Sequence, residues 1–350
     1  MAKSIRFIPT LSFLLTLLTA GTAMSAEQTR FDWSASDSAP QYYAMKIIFG
    51  TLYFRGGTGG TGVPGGGVIS HGWGLMNSTH VSGEALKPLP DKLDITFFSY
   101  LEDQFYRGTF DLPYDTILKL FQEEEAKPKR KTMKGDELPN KYKIIVGVAP
   151  GGTVAAWIQS QGQKELFFGK AQKVEMDFTN ASKIPMASRE ERTAYVKKVA
   201  ERESTPDILA TIRKNGVPFN KWADFRKTYN WTPAFAANTP PSKDKVGISF
   251  YGGEGEDFKF PLDKTFTSIG HRVPRKVDFN YPIIVSHTGN DYYVVKFDEA
   301  EIVDAFTRLS AKQLPLQLEF DPKFPKEQTQ VRLHNGKEAI VLKKFTVTSK

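Results

Sequence analysis

Two stretches of the chain align without gaps, Leu89–Ile95 (LPDKLDI) and Val273–Phe279 (VPRKVDF). In both stretches apolar residues alternate with polar ones, which is the period of a half-buried strand. Further matches follow each stretch in the same order, with small shifts in spacing: Phe110–Asp111 with Phe297–Asp298, Ile117–Phe121 with Ile302–Phe306, and Trp157–Gly162 with Val331–Gly336. The sequence therefore predicts a divergent internal duplication.

Each copy is predicted to form a mostly antiparallel sheet that carries one helix. A strand and its returning partner come first, and an amphipathic helix follows, with Ile117 and Phe121 on one face in the first copy. In the second copy, Asp298 with Glu301 three residues later has the spacing of a capping box. Further strand pairs lie on both sides, so the predicted fold class is α+β with two tandem modules.

Between the two copies the pattern changes to helix. Ser188 with Glu191 reads as a second capping box, and Thr205 before Pro206 reads as an N-cap followed by proline in the first turn. The predicted organisation after the N-terminal segment is a first β-rich module over residues 42–178, a helical insert with linker over 186–235, and a second β-rich module over 246–348.

The first 26 residues have the pattern of a secretory signal peptide. Lys3 and Arg6 precede an apolar run from Phe7 to Ala20, and small residues follow as far as Ala26. A buried N-terminal helix is the alternative interpretation, and the run is too short for a comfortable membrane span. Because the chain contains no cysteine for a lipid anchor, we expect a soluble periplasmic protein with neither a membrane span nor an anchor.

The composition is that of a globular chain. Hydrophobic residues make up 40% and aromatic residues 13%, which suffices for a real core and excludes a disordered or collagen-like chain. The absence of cysteine excludes disulfides, thiolate metal sites and cysteine nucleophiles. The net charge of +8 is a modest and dispersed excess, so we expect no nucleic acid as a partner.

A loop rich in glycine lies between two predicted strands. Residues 56–67 include eight glycines, and residues 57–62 fit the letters of a dinucleotide-binding fingerprint. That fingerprint requires a helix after the loop, whereas here a strand-like Val68-Ile69 follows. The sequence thus favours a flexible hairpin loop that can contact a partner. The candidate partner-binding residues are Gly59, Gly62, Gly66, His71 and Trp73.

Motifs for catalysis are missing from the sequence. His71 could serve as a general base, or as a metal ligand with His80, but there is no HExxH motif and no carboxylate at ligand spacing. Neither a GxSxG elbow nor the motif set of penicillin-binding enzymes is present. Asp94 and Asp278 recur only as equivalent positions of the repeat. We therefore expect no enzyme activity, no cofactor and no metal.

Three stretches of the chain resemble a known family: Leu89–Phe121, Tyr142–Gln159 and Asn215–Pro233. They are similar to the domain of unknown function 2931 family of Gram-negative envelope proteins, and the similarity covers about residues 42–233. Its motifs are structural, so the resemblance implies no active-site residue. Many members carry a lipoprotein cysteine, which this chain lacks.

The resemblance also implies a function by association. Members are often encoded near type VI secretion genes, beside antibacterial lipase-like effectors. The expectation is therefore an immunity-type protein that binds and neutralises a secreted effector in the periplasm. An envelope protein that binds a small molecule or glycan between its two modules is the alternative.

Overall fold

The computed structural model of the chain describes residues 28–129, 131–236, 245–262, 266, 270–281 and 291–349. The predicted signal peptide, residues 1–26, lies outside these residues. Runs of strands alternate with single helices in both halves, and a group of helices lies between them. The predicted α+β class is confirmed.

The first half begins with strands and carries one long helix. In the strand that contains the first heptapeptide, Leu93 and Ile95 are fully buried while Lys92 is exposed, as the alternation predicts. The elements are β1 (Arg30–Ser38), β2 (Met45–Phe54), β3 (Gly60–Gly62), β4 (Thr79–His80), β5 (Leu86–Pro88), β6 (Pro90–Ser99), β7 (Gln104–Asp111), α1 (Tyr114–Glu125), β8 (Tyr142–Ala149), β9 (Thr153–Gln159), β10 (Gln163–Lys170) and β11 (Gln172–Val174).

Four helices follow, and two of them begin at the caps predicted from the sequence, Ser188 and Thr205. The Glu191 amide donates to the Ser188 hydroxyl at 3.2 Å, and the Ile208 amide donates to the Thr205 hydroxyl at 3.3 Å. These bonds satisfy amides that a helix start leaves free. The helices are α2 (Phe178–Ser182), α3 (Arg189–Arg202), α4 (Pro206–Asn215) and α5 (Lys221–Asp224).

In the described part of the second half, strands again lie on both sides of a long helix. That helix starts at Asp298, whose carboxylate accepts from the Glu301 amide at 3.0 Å, so the predicted cap is confirmed. The elements are β12 (Trp231–Phe235), β13 (Lys245–Phe250), β14 (Gly255–Lys259), β15 (Pro274–Tyr281), β16 (Asp291–Phe297), α6 (Glu299–Ser310), β17 (Leu316–Asp321), β18 (Gln330–His334), β19 (Ala339–Leu342) and β20 (Phe345–Ser349).

The strands of the two halves pair in the same order. In the first half the order β11-β7-β6-β2-β3 forms an antiparallel sheet, and in the second half β20-β16-β15-β13-β14 are neighbours in the corresponding order. The strand after each helix pairs in parallel with the first strand of its half, β8 with β1 and β17 with β12. Two antiparallel strands follow each parallel pair, β9 with β10 and β18 with β19.

One tryptophan near the start of each half makes the same hydrogen bond. The indole nitrogen of Trp33 donates to the carbonyl of Pro88 at 3.1 Å, and that of Trp231 donates to the carbonyl of Arg272 at 3.1 Å. Pro88 and Arg272 each come one residue before a matched heptapeptide. Both indoles are only 1% exposed.

These strands lie partly outside the predicted module boundaries. β1 begins at residue 30, before the predicted start at 42, and β12 falls inside the predicted helical insert, 186–235. The sequence evidence for these two strands is a short match, of Phe31-Asp32-Trp33-Ser34 with Tyr229-Asn230-Trp231-Thr232. β12 becomes a strand because it pairs with β17, in which Leu316 lies opposite Trp231 although it is 85 residues further along the chain.

The sequence alignment of β7 with β16, the strands that return after each heptapeptide strand, is wrong by two residues. Phe110 lies opposite Leu93 in the first half, and Val295 lies opposite Val277 in the second. Phe110 therefore corresponds to Val295, whereas the sequence match aligned it with Phe297. A strand repeats its facing pattern every two residues, so a shift of two leaves the alternation unchanged and escapes detection.

The two halves join into one continuous sheet. β10 of the first half pairs with β14 of the second where Gln163 lies opposite Gly255. The described strands of this sheet follow the order β20-β16-β15-β13-β14-β10-β9-β8-β1-β4, with β5 beside β1. A cluster of buried apolar residues fills the second half and extends across the junction to Trp73 and Trp157 of the first. The junction is therefore part of the core.

Candidate functional site

The predicted partner-binding glycines lie on the β2–β3 hairpin and just after it. Gly59 is in the exposed turn with φ 92°, and its carbonyl accepts from the Phe54 amide at 3.1 Å. Gly62 lies in β3 opposite Thr51, and the amide of exposed Gly66 donates to the Ile47 carbonyl at 3.0 Å. The positive φ in the turn explains the glycine there, because side chains with a Cβ rarely adopt it.

Trp73 and His71 have different environments. His71 is exposed, whereas Trp73 is only 5% exposed and packs edge-on against Trp157, with ring centroids 4.9 Å apart. Trp73 therefore contributes to the junction between the halves, and its ring is not displayed as a surface anchor. Binding of a partner at these five residues stays a prediction.

Hydrogen bonds across the junction hold the two halves in one register. The side-chain amide of Gln163 donates to the carbonyls of Gly74, at 2.7 Å, and Gly253, at 2.6 Å. The indole nitrogen of Trp157 donates to the Gly252 carbonyl at 3.2 Å. A Cβ on Gly253 would lie 2.8 Å from the Trp157 ring, so only glycine fits this contact.

Charged side chains also meet at the junction. Glu165 of β10 contacts Arg226 at 3.0 Å and Arg272 at 3.1 Å, and Arg272 also pairs with Glu254. Burial raises the pKa of Glu254 to about 7, against the opposing effect of Arg272, and the nearby Glu165 carboxylate adds to the rise. Two carboxylates thus share one guanidinium, which couples the junction to pH.

A cavity of about 750 Å³ lies beside this junction. Its lining comes from three parts of the molecule. The first half supplies the β1–β2 connection and residues of Gly72–Leu75, the helical region supplies α4 and α5, and the second half supplies β13, β15, β16 and the start of α6. Tyr42, at the cavity wall, has φ 73°, a left-handed backbone that is uncommon for tyrosine and costs energy. No single half of the molecule forms this cavity.

Several aromatic rings line the cavity. Tyr43 packs edge-on against Trp222 at 5.3 Å between centroids, and Phe225 stacks on Tyr251 at 5.3 Å. The Tyr251 hydroxyl donates to the Phe297 carbonyl at 3.0 Å, which fixes its ring. The wall is preorganised because these rings are held by each other and by the core.

Most charged groups of the cavity have partners. Glu299 pairs with Lys221 at 2.5 Å, and Lys276 pairs with Asp278 at 2.8 Å. Asp298 caps α6, as described above. Arg275 differs from these, because its one hydrogen bond to a described residue is a long donation to the Trp73 carbonyl at 3.3 Å.

The family of the chain is given by its sequence. A family model described as a protein of unknown function, DUF2931, matches residues 20–220. The chain belongs to this family. The match includes β1–β11 and α1–α4, whereas Arg275 and the rest of the second half lie beyond it. No curated protein and no solved structure gives a significant match.

A second cavity, of about 690 Å³, adjoins the first in this DUF2931 protein. It lies between the α4–α5 connection and α6, and it shares Lys221, Phe225, Glu299 and Ala300 with the first cavity. The Lys221–Glu299 ion pair therefore stands where the two cavities meet. Side chains from the insert and from α6 can contact a ligand in either one.

The sequence reading did not single out the residues of this cavity. One feature of the sequence could have drawn attention to Arg275: the third position of the matched heptapeptides carries opposite charges, Asp91 in the first and Arg275 in the second. Within the described residues, no three His, Asp or Glu side chains come together as metal ligands. None of the described helices is both long enough and apolar enough to cross a membrane.

Proposed function

We propose that this protein binds a small molecule in the cavity between its halves. The volume of about 750 Å³ is the observation that carries the proposal, because ligand sites are typically ~300–1,000 Å³ and mostly apolar. The aromatic wall, with Tyr42, Phe225 and Tyr251, would supply contact area for a sugar ring, an aromatic ring or an acyl chain. This was the alternative function in the sequence reading.

We propose that the protein binds this ligand without catalysing a reaction. The carboxylates at the cavity already have partners, since Asp298 caps α6 and Glu299 pairs with Lys221. A carboxylate held in this way is poorly placed to act as a general acid or base toward a ligand. The proposal therefore includes neither a cofactor nor a catalytic residue.

Filling the cavity tests this proposal. Ala300, exposed in the first turn of α6, lines both cavities. The neutral fluorescent probe N-phenyl-1-naphthylamine should bind the wild type, and Ala300→Trp should weaken its binding by about tenfold or more. Ala126→Trp, at an exposed position just after α1 that lines neither cavity, is the matched control and should bind as the wild type does. Equal binding by all three proteins would refute the proposal.

We further propose that residues 30–174 and 229–349 are divergent copies of one module. The common strand order and the equivalent hydrogen bonds of Trp33 and Trp231 support it. The β2–β3 loop, which Phe54 and Gly59 close, then corresponds to the β13–β14 loop, where the Phe250 amide donates to the Glu254 carbonyl at 2.8 Å. These boundaries replace the predicted limits of 42–178 and 246–348.

The equivalence of the loops favours a second candidate function, binding of a protein. The β13–β14 loop docks on the other half, with Gly253 against Trp157, whereas the β2–β3 loop is exposed. An exposed copy of a docking loop suits the proposed immunity-type inhibitor of a secreted, type VI, lipase-like effector. Deleting Thr58 should weaken binding of the effector encoded beside this protein, measured by calorimetry, and unchanged affinity would count against the loop.

Export to the periplasm remains part of the proposal. The supporting feature is the basic start at Lys3 and Arg6 with the apolar run from Phe7 to Ala20. N-terminal sequencing of the fractionated protein should find a start between Met24 and Glu27 in the periplasm. An intact Met1 in the cytoplasm would contradict it.

A further inference from the structure

We infer that the ligand of the cavity between the halves is an organic anion, with an acidic group that pairs with Arg275 and a ring or chain that packs on the aromatic wall. The inference rests on the proposed function, which supplies the site. It adds a chemical class, that of a carboxylate, sulfate or sulfonate beside an apolar group.

The charges at the cavity that remain without a partner are positive. Four cations line the cavity, and two of them are in ion pairs, Lys221 with Glu299 and Lys276 with Asp278. Within the described part of the chain, neither Arg275 nor Lys296 forms an ion pair, and the Asp298 carboxylate accepts a hydrogen bond from the Glu301 amide. The site therefore has an excess of positive charge that a bound anion would balance.

Arg275 has the geometry and the hydrogen-bond capacity to bind this anion. A guanidinium carries five N–H donors, and Arg275 uses one of them for its bond to the Trp73 carbonyl. The remaining donors form a planar fork that matches a carboxylate or a sulfonate in two parallel hydrogen bonds. Its position in β15 puts it at the cavity wall, beside the Tyr251 ring.

The environment of Arg275 makes a counter-charge favourable. Burial lowers the pKa of Arg275, although an arginine side chain keeps its proton in a protein. A cation taken out of water without a partner is costly, and its attraction to an anion is stronger in a weakly polar surrounding. An anionic ligand would recover this cost when it binds, while a neutral ligand of the same shape would not.

A matched pair of probes separates charge from shape. The probe 8-anilinonaphthalene-1-sulfonate and the neutral N-phenyl-1-naphthylamine share an aromatic skeleton, and only the first carries a sulfonate. Arg275→Gln should weaken binding of the sulfonate probe by about tenfold or more, since a hydrogen-bonded charge is lost. The same variant should change binding of the neutral probe by less than about twofold. Arg332→Gln, at an exposed position of β18 that lines neither cavity, is the matched control and should change neither.

The outcomes distinguish the two proposals. If Arg275→Gln leaves the sulfonate probe unaffected, or weakens both probes equally, the inference of an anionic ligand is wrong while the cavity remains a binding site. If Ala300→Trp fails to weaken either probe, the proposed function itself is wrong. Should Arg275→Gln not fold, Lys296→Gln, at an exposed position of the same cavity, replaces it and should lower only the affinity of the sulfonate probe.

Discussion

The two halves carry helices of equal length, α1 and α6, at the same place in the strand order, yet the two helices bury different types of side chain. Ile117 and Phe121 of α1 are buried, as are Ile302 and Phe306 of α6. Three residues further along, α1 buries Glu124 and α6 buries Leu309. One scaffold therefore accommodates a buried carboxylate in one half and an ordinary apolar contact in the other.

The residues around Glu124 and Leu309 differ accordingly. Glu124 pairs with Lys127 at 2.6 Å and lies 3.7 Å from Lys164, and the Ser160 hydroxyl also donates to it. Burial acts to raise the pKa of Glu124, but the hydrogen bonds from Lys127 and Ser160 outweigh it and the pKa is lowered. In the second half, Ile340 lies where Lys164 lies in the first, and it packs in the same apolar cluster as Leu309. A buried charge is tolerated where partners surround it.

The two hairpin loops differ in the same way. Gly59 is exposed at the end of the β2–β3 loop, while its counterpart Glu254 lies at the junction, paired with Arg272. The difference follows from the neighbour, because the β13–β14 loop packs on the first half and the β2–β3 loop faces solvent among the described residues. The neighbour of each loop thus decides whether the loop is packed at the junction or exposed.

The largest expected effect concerns the equivalent tryptophans. Trp33→Ala and Trp231→Ala should each lower the free energy of unfolding by about 3–5 kcal/mol, since each removes a fully buried ring. The phenylalanine variants at both positions lose mainly the indole hydrogen bond and should cost about 1–2 kcal/mol. Urea unfolding followed by circular dichroism would measure all four. A large cost at one position with almost none at the other would break the proposed equivalence of the halves.

A smaller effect is expected from Glu254, and it depends on pH. Because the pKa of Glu254 in the folded protein is about 7, above the usual glutamate value of 4.5, the folded state binds the proton more tightly than the unfolded state. Stability should therefore be highest at acid pH for this group and should fall as the pH rises from 4.5 to 7. Glu254→Gln should remove this fall and be more stable than the wild type at pH 8, by up to about 3 kcal/mol.

Unfolding in urea at pH 5 and at pH 8 tests this expectation. Glu256→Gln, a change at a carboxylate of the same strand region, serves as the control and should keep the pH dependence of the wild type. If Glu254→Gln has the same pH dependence as the wild type, the junction is not the source of it.

The smallest effect on stability is expected when a buried residue of α1 is replaced by the residue at the same place in α6. Glu124→Leu places the residue of α6 in α1 and should cost about 2 kcal/mol, because Lys164 loses one of its two carboxylate partners and the Ser160 hydroxyl loses its acceptor. Adding Lys164→Ile, to complete the match with Leu309 and Ile340, should return the stability to within about 1 kcal/mol of the wild type. A double-mutant cycle by urea unfolding measures the coupling, and strictly additive losses would show that the two positions are independent.

Much of the local structure followed from the sequence. The helix starts at Ser188, Thr205 and Asp298 were predicted from their side chains, because a cap is a bond between residues three apart. The register of β7 and β16 was not, because strand alternation is unchanged by a shift of two residues. The burial of Trp73 was not predicted either, since Trp157, which it packs on, is 84 residues away at this junction.

The sequence by itself determined the α+β class, the helix caps and the repeated heptapeptide, all of which depend on spacings of a few residues. Only the tertiary structure decided that β10 pairs with β14, that Arg275 lines a cavity with Tyr43, and that Glu254 is buried. The reason is physical: periodicity and capping act within one turn or one strand. A junction between halves depends instead on which distant edges and side chains meet when both have folded.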